Sequence, residues 1–319
     1  MKLKLIALAA CLFTGLSTFA QNRGNEAGFQ SDNDSFLGQG SDRYYTNGFF
    51  IYYRHALDVN KANSNLANKV LGFEIGQKIY NAQSGYLPSI EYLDRPFAGY
   101  LYIGSSLNLL YKNESNLKLS AKIGIVGPAA GGYPIQKFIH NTFGFYHLNS
   151  WQYQIRNDAE LNLSAEYNKL LGRSAWADIS LTSYANLGNG FTGAGVGPML
   201  RLGNFNQLFQ SVSTQSTASK NSNANLLHQH ELFFYYKPQI NVVAYDATVQ
   251  GSLFKDHPEA GTQEVTGDIK PVMFSNQLGA SYAGGRFIFD LSAIFNTKDV
   301  KQMVHSHQWG SLTVLYRFN

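Results

Sequence analysis

The sequence predicts an all-β protein, a closed antiparallel transmembrane β-barrel of about twelve strands with a short helix in an extracellular loop. Apolar and polar residues alternate with a period of two in many segments. Charged residues make up only 14% of the chain and aromatic residues another 14%. No uninterrupted apolar run is long enough to cross a bilayer as a helix. This composition suits a wall with one oily face, one polar face and aromatic girdles.

The first twenty residues predict a signal peptide. Lys2 and Lys4 form a positive start, an uncharged apolar stretch follows, and small residues precede a cleavage site after Ala20. A lipoprotein signal is the rival interpretation, because the only cysteine of the chain lies in this stretch. We expect residues 1–20 to be removed, which leaves 21–319 as a single barrel domain exported to the bacterial outer membrane.

The segment from Leu117 to Ile125 illustrates the alternation, because its apolar residues are separated by Lys118 and Lys122. A basic side chain that faced lipid at mid-membrane would cost roughly 2–4 kcal/mol, so the polar set must face the lumen. Only a closed barrel pairs every backbone group of such strands in hydrocarbon. A soluble β-sandwich also alternates, but the signal peptide and the aromatic C-terminal strand disfavour it.

The alternating segments predict twelve strands, at residues 26–36, 44–56, 68–80, 97–111, 117–127, 155–168, 175–187, 193–204, 230–249, 268–282, 285–297 and 307–318. An even number is usual for bacterial barrels. With the N-terminus on the periplasmic side, the stretch 205–229 becomes a periplasmic connection that is too long for the pattern. It holds either an excursion or a slipped strand.

Four segments rich in functional side chains fall at extracellular strand ends: Asp32–Ser35, Asp42–Gly48, Asp94–Tyr100, and Gly127 to His140. They are far apart in sequence, but the topology places them all at one rim of the barrel. Loops on a rigid scaffold commonly carry function. The sequence therefore predicts a functional site at the outer rim.

These residues resemble the outer-membrane lipid A 3′-O-deacylases. The shared elements are the Asn33-Asp34 pair, the Asp42–Gly48 and Asp94–Tyr100 segments, and Gly127-Pro128 followed by Gln136-x-x-x-His140. The resemblance runs from Asn33 to the C-terminal strand. It implies a twelve-stranded barrel that uses Ca²⁺ and hydrolyses the ester-linked acyl chain at the 3′ position of lipid A. Lipopolysaccharide would be the substrate, and other outer-membrane lipids would surround the protein.

The resemblance also implies roles for single residues, namely His140, Gln136, Thr46 and Asn33 in catalysis, Asp34 in metal binding and Arg95 in substrate binding. The residues can be interpreted without it. Pro134 suits the first turn of a helix, so Gln136 and His140 would share one helix face. An imidazole there can serve as a general base on water. The alternative is that His140 is an exposed loop histidine with no catalytic function.

Asp34 is a hard oxygen donor of the kind that calcium prefers, although it also fits a solvated rim charge. Strict alternation would put Asn33 and Asp34 on opposite faces of the strand, unless the strand end bulges. Side chains alternate between the two faces of the second strand, and this alternation predicts that Thr46 points into the lumen. Arg95 either pairs with a lipid A phosphate or braces Asp94 and its loop.

The expected function is calcium-dependent deacylation of lipid A by a monomer. The net charge of +4 is too small to suggest a nucleic-acid partner. Two alternatives stay open. The first is a non-enzymatic barrel, either a small pore or an inactive family member. The second is an outer-membrane phospholipase that pairs a histidine with Ser35 as its nucleophile.

Overall fold

The computed structural model describes residues 23–38, 42–59, 65–220, 225–258 and 260–319, so the predicted signal peptide lies outside the described residues. Each strand pairs antiparallel with its neighbours in the chain, and the first pairs with the last to close the barrel. The strands are β1 Asn25–Asn33, β2 Tyr45–Ala56, β3 Leu66–Tyr80, β4 Ala98–Tyr111, β5 Ser115–Val126, β6 Asp158–Arg173, β7 Ala177–Gly188, β8 Phe191–Asn204, β9 Glu231–Asp246, β10 Val272–Gly284, β11 Phe287–Asn296 and β12 His307–Phe318. The prediction of a twelve-stranded antiparallel barrel is confirmed.

Two α-helices lie in the extracellular connections, α1 at Gly132–Phe143 and α2 at Ala247–Gln250. The predicted short loop helix is therefore present as α1. Within the described ranges, no helix combines the length and hydropathy needed to cross a bilayer.

The alternation separates lumen from lipid as expected. Lys118 pairs with Glu166 on the neighbouring strand at 3.0 Å, and Lys122 pairs with Glu74 two strands away at 3.3 Å, so these charges neutralise one another in the lumen. Between them on β5, Leu119 projects outward and is exposed. Pairing of opposite charges is what makes such side chains tolerable inside a narrow barrel.

An apolar cluster closes the extracellular half of the lumen. Its buried members come from β2, β4, β5, the connection before β6, and α2: Phe50, Ala98, Tyr100, Tyr102, Val126, Ile155 and Ala247. These side chains meet where β2, β4 and β5 approach the outer rim. The barrel is therefore filled by side chains at this level.

The long β8–β9 connection closes the periplasmic mouth. The amide of Asn68 on β3 donates to the carbonyls of Ser216 and Ala218 at 3.0 and 2.9 Å. The carboxylate of Glu231 at the start of β9 accepts from the hydroxyl of Ser211 at 2.6 Å. The described part of this connection contains two short 3-10 turns and no strand. The excursion interpretation of 205–229 is therefore right, and the slipped strand is wrong.

A buried ion pair anchors this periplasmic plug. The guanidinium of Arg201 donates to both carboxylate oxygens of Asp178, at 2.8 and 2.6 Å. It also donates to the hydroxyl of Ser211 in the plug at 2.8 Å. Asp178 accepts a further hydrogen bond from Arg173 at 3.0 Å. Arg173 also donates to both oxygens of Glu114 at 2.6 Å, so two carboxylates compensate the two guanidinium groups beside the plug.

We expect Asp178→Ala to lower the free energy of unfolding by about 3–5 kcal/mol, because it leaves the buried Arg201 charge without its partner. Asp58→Ala is the matched control. Asp58 is 87% exposed and lies 3.5 Å from Lys220, so its loss should cost less than about 1 kcal/mol. Urea unfolding of the refolded barrel in detergent measures both. Equal losses in the two variants would contradict the anchoring role of Asp178.

Candidate active site at the outer rim

The first strand ends at Asn33 because the next residues form a 3-10 turn. The Asn33 side-chain oxygen accepts the backbone N–H of Ser35 at 2.7 Å and caps the turn Asp34–Leu37. The predicted strand end at residue 36 is therefore wrong by one turn. Asp34 leaves the strand alternation at this point, so the opposite-face constraint on Asn33 and Asp34 does not apply.

Thr46 lies in a β-bulge. The register between β2 and β3 shifts between Tyr45 and Asn47, which leaves Thr46 without a partner residue on β3. Asn47 then points outward, on the same face of β2 as Phe49. Its side-chain amide donates to the Thr46 hydroxyl at 3.3 Å. The prediction that Thr46 points into the lumen is wrong, because the bulge adds one residue and reverses the parity above it.

Helix α1 packs against the outer, lipid-facing side of the barrel wall. The outward-facing Gln77 of β3 donates to the carbonyl of Ala130, just before the helix, at 2.6 Å. On β4, a Cβ at Gly99 would lie 3.0 Å from the amide nitrogen of Gly132. Glycine at this position allows the first turn of the helix to rest directly on the strand.

His140 is buried on α1, and its two ring nitrogens have different partners. Nδ1 lies 2.8 Å from the backbone carbonyl of Tyr146, an acceptor that assigns the proton of the neutral ring to Nδ1. Nε2 lies 3.1 Å from Oδ2 of Asp42. The hydroxyl of Tyr146 donates to the same Asp42 oxygen at 2.6 Å. These contacts leave Nε2 as the nitrogen that can take up a proton.

The Thr46 hydroxyl joins the two carboxylates of the site. It lies 3.3 Å from Oδ1 of Asp34 and 3.1 Å from Oδ1 of Asp42. Asp42 uses its other oxygen toward His140. A continuous series of side-chain contacts therefore runs from Asp34 through Thr46 and Asp42 to His140, and the structure brings these predicted residues together.

The electrostatics of this cluster favour a cation. Burial raises the pKa of the Asp34 carboxyl to about 7, and the negative charge of Asp42 contributes to the rise. Burial and the Asp42 charge likewise raise the pKa of Tyr146. A hard divalent ion between Asp34 and Asp42 would offset this repulsion, so the two carboxylates fit calcium. The described residues contain no group of three or more acidic, histidine or cysteine side chains arranged for a metal. Further ligands would therefore be carbonyl or hydroxyl oxygens and water.

Gln136 lies one turn before His140 on the same buried face of α1, as its spacing predicts. Its side-chain oxygen accepts the indole N–H of Trp151 at 2.9 Å. The amide nitrogen is buried and has no hydrogen-bond partner among the described residues. Gln136 is thereby oriented by Trp151 while its N–H donors stay available.

Asn33 and Ser35 lie at the edge of the cluster. The Asn33 amide donates to the side chain of Asn47 at 2.7 Å, which links the end of β1 to β2 beside Thr46. The exposed hydroxyl of Ser35 donates to Asn33 rather than to a histidine. Asn33 therefore supports the position of Asp34, and Ser35 lacks the geometry of a Ser-His nucleophile.

Arg95 is not part of the cluster. It is 1% exposed, donates to the carbonyl of Pro96 and to the hydroxyl of Thr248 at 3.1 and 3.0 Å, and stacks over the ring of Tyr80. Asp94 accepts a hydrogen bond from the hydroxyl of Tyr44 at 2.6 Å, rather than from Arg95. In this structure Arg95 ties extracellular loops together, and its substrate-binding role stays a prediction.

Asp42 and Tyr146 are the site residues for which the sequence predicted no role. Asp42 adopts a left-handed backbone conformation with φ 45°, which turns its carboxylate toward both Thr46 and His140. An aspartate with positive φ is a recognisable signal in coordinates. In the sequence, only its place in the shared Asp42–Gly48 segment hinted at a role.

A family model described as "Outer membrane protein LpxR" matches residues 5–318. The solved structure of LpxR from Salmonella typhimurium superposes with a TM-score of 0.72 and 21% sequence identity, covering 92% of this chain and 100% of that chain. The β domain of the Bordetella autotransporter Brka gives a TM-score of 0.48 and 10% identity, covering 93% of this chain and 99% of that chain. No curated protein sequence matches the chain.

We expect calcium binding at this site to weaken as pH falls below about 7, because the cation must then displace the proton that burial holds on Asp34. The apparent affinity should fall about tenfold for each pH unit below that value, since one proton is released. Titration calorimetry of the detergent-solubilised barrel at pH 6 and pH 8 measures this.

Asp34→Asn should remove the calcium-binding signal at both pH values. Asp32→Asn is the matched control, since Asp32 accepts from Tyr45 at 2.8 Å and lies on the lumen side, two residues away. Calcium binding with the same affinity at pH 6 and pH 8 would be incompatible with Asp34 as a ligand.

Proposed function

The chain belongs to the LpxR family of outer membrane proteins, and on that premise we propose that it is a calcium-dependent lipid A 3′-O-deacylase. One observation carries the proposal: His140, Asp42, Thr46 and Asp34 form one contact series. They do so where α1 covers the lipid-facing wall at the extracellular rim. A lipid of the outer leaflet can reach this position laterally from the membrane.

His140 would act as the general base. Its Nδ1–H is held by the carbonyl of Tyr146, so Nε2 takes a proton from water as the water oxygen bonds to the ester carbonyl carbon. When the tetrahedral intermediate collapses, the bond from carbon to the sugar oxygen breaks. That oxygen takes the proton back from Nε2, and the products are a free fatty acid and a 3′ hydroxyl group.

Asp42 would stabilise the imidazolium while His140 carries the proton, because its Oδ2 lies 3.1 Å from Nε2. Asp34 and Asp42 would hold calcium, with Thr46 setting the spacing between their carboxylates. When bound, the ion supplies positive charge that stabilises the developing oxyanion. The free amide N–H groups of Gln136 can donate to the same oxygen.

The alternatives have less support. An apolar cluster in the outer half of the lumen and the periplasmic plug both obstruct the passage that a small pore needs. A Ser35 phospholipase lacks its histidine partner, since the Ser35 hydroxyl donates to Asn33. Measurement of the reaction distinguishes an active enzyme from an inactive member of the family.

His140→Ala should reduce the rate of 3′ deacylation by about 10²–10⁴-fold, the usual contribution of a general base. The rate is measured by mass spectrometry of lipid A incubated with purified protein and calcium. His228→Ala, in the periplasmic connection, is the matched control and should retain the wild-type rate.

Loss of the 3′ acyl chain from lipid A at equal rates with wild type and His140→Ala would refute the role of His140. An unchanged acylation pattern with folded wild-type barrel would refute the deacylase itself. Heat-modifiable migration in gels verifies that each barrel is folded.

A further inference from the structure

The lipid-facing wall below the site contains an apolar groove of about 580 Å³ that crosses β2 to β5. Its outward-facing lining comes from two side chains on each of four adjacent strands: Ile51, Tyr53, Phe73, Ile75, Ile103, Ser105, Ala121 and Ile123. The groove lies on the outside of the barrel, where it faces the membrane.

The strand register explains its shape. Ile51, Ile75, Ile103 and Ile123 stand directly opposite one another and form a continuous row across the four strands. β-branched side chains have few rotamers, so this row is a stiff ridge.

The side chains in the next row toward the periplasm differ sharply in size. It reads Tyr53, Phe73, Ser105 and Ala121 in the same strand order. Two aromatic residues are therefore followed by two of the smallest side chains. Phe73 is 47% exposed on one side of this pair, and Leu163, opposite Ala121 on β6, is 51% exposed on the other. Ser105 and Ala121 thus form the floor of a notch between large side chains.

The groove continues directly from the active site. On β2, the outward positions run from Asn47, which contacts Thr46, through Phe49 to Ile51. The four residue steps from Asn47 to Ile51 span about 14 Å of strand, at roughly 3.4 Å per residue. On β3, Gln77 holds the segment before α1, and Ile75 is the next outward residue. The polar site and the apolar groove therefore share one face of the wall.

We propose that this groove binds the acyl chain that the enzyme removes, and that the notch at Ser105 and Ala121 selects its length. The inference rests on the proposed deacylase activity. The occupant is a hydrocarbon chain, because the outward-facing lining is almost wholly apolar and faces the bilayer interior. A chain whose ester lies beside His140 runs down this wall toward the notch.

The groove acts on specificity rather than on overall affinity. Lipid tails around the barrel are as apolar as the groove, so no hydrophobic transfer energy is gained when a chain leaves them for the wall. The groove and the surrounding lipid tails differ in how closely a chain can pack against them, because packing depends on the shape of the surface. A chain long enough to reach the notch packs against its floor, whereas a shorter chain ends on the isoleucine ridge.

Ala121→Phe and Ser105→Leu each fill the notch from a different strand. We expect either change to lower the ratio of kcat/KM for long-chain over short-chain 3′ esters about tenfold, while the short-chain rate is kept. Ala280→Phe on β10 is the matched control, because Ala280 is an outward alanine between Phe234 and Leu291 on the opposite wall. It should leave the ratio unchanged. The substrates are lipid A preparations that differ only in the length of the 3′ chain, assayed in mixed micelles with calcium.

Two contrary results have distinct meanings. If wild type is active and the ratio is unchanged in both notch variants, or falls equally in the Ala280→Phe control, the groove is not the acyl site and the deacylase proposal stands. If folded wild type releases fatty acid from neither substrate, the deacylase proposal fails, and the acyl groove fails with it.

Discussion

A strand inside hydrocarbon has no partner for its backbone amides except its neighbours, and the whole structure follows from that constraint. Twelve strands satisfy it by closing β1 against β12. Closure fixes the side-chain parity of every strand, so charges such as Lys122 and Glu74 are confined to the lumen, where they pair. The outward-facing set is apolar and faces lipid, except near the rim, where α1 covers the wall.

The candidate site lies where this alternation is interrupted. The cap at Asn33 and the bulge at Thr46 release side chains at the rim, and the left-handed Asp42 directs its carboxylate between Thr46 and His140. The site is thereby built on the outer face, beneath α1, rather than in the lumen. This position suits an enzyme whose substrate is part of the surrounding membrane, because the lipid can approach without crossing the wall.

The regular elements were predictable because burial and lipid exposure dictate period-two alternation, and β12 has its predicted bounds, His307–Phe318. The helical face of Gln136 and His140 followed from their spacing in the same way. Local backbone events were not predictable. Neither the cap that ends β1 nor the extra residue at Thr46 changes the hydrophobic pattern, yet each decides which way a functional side chain points. The role of Asp42 depends on a φ angle that sequence spacing does not encode.

In the proposed mechanism, Asp34 and Asp42 hold one cation beside the imidazole of His140. Anomalous diffraction from crystals of the full barrel, soaked with calcium or with a lanthanide that replaces it, tests this most directly. We expect a single strong peak bound by both carboxylates, on the outer side of the wall under α1. A peak only in the lumen, or none near Asp34 at saturating metal, would contradict it.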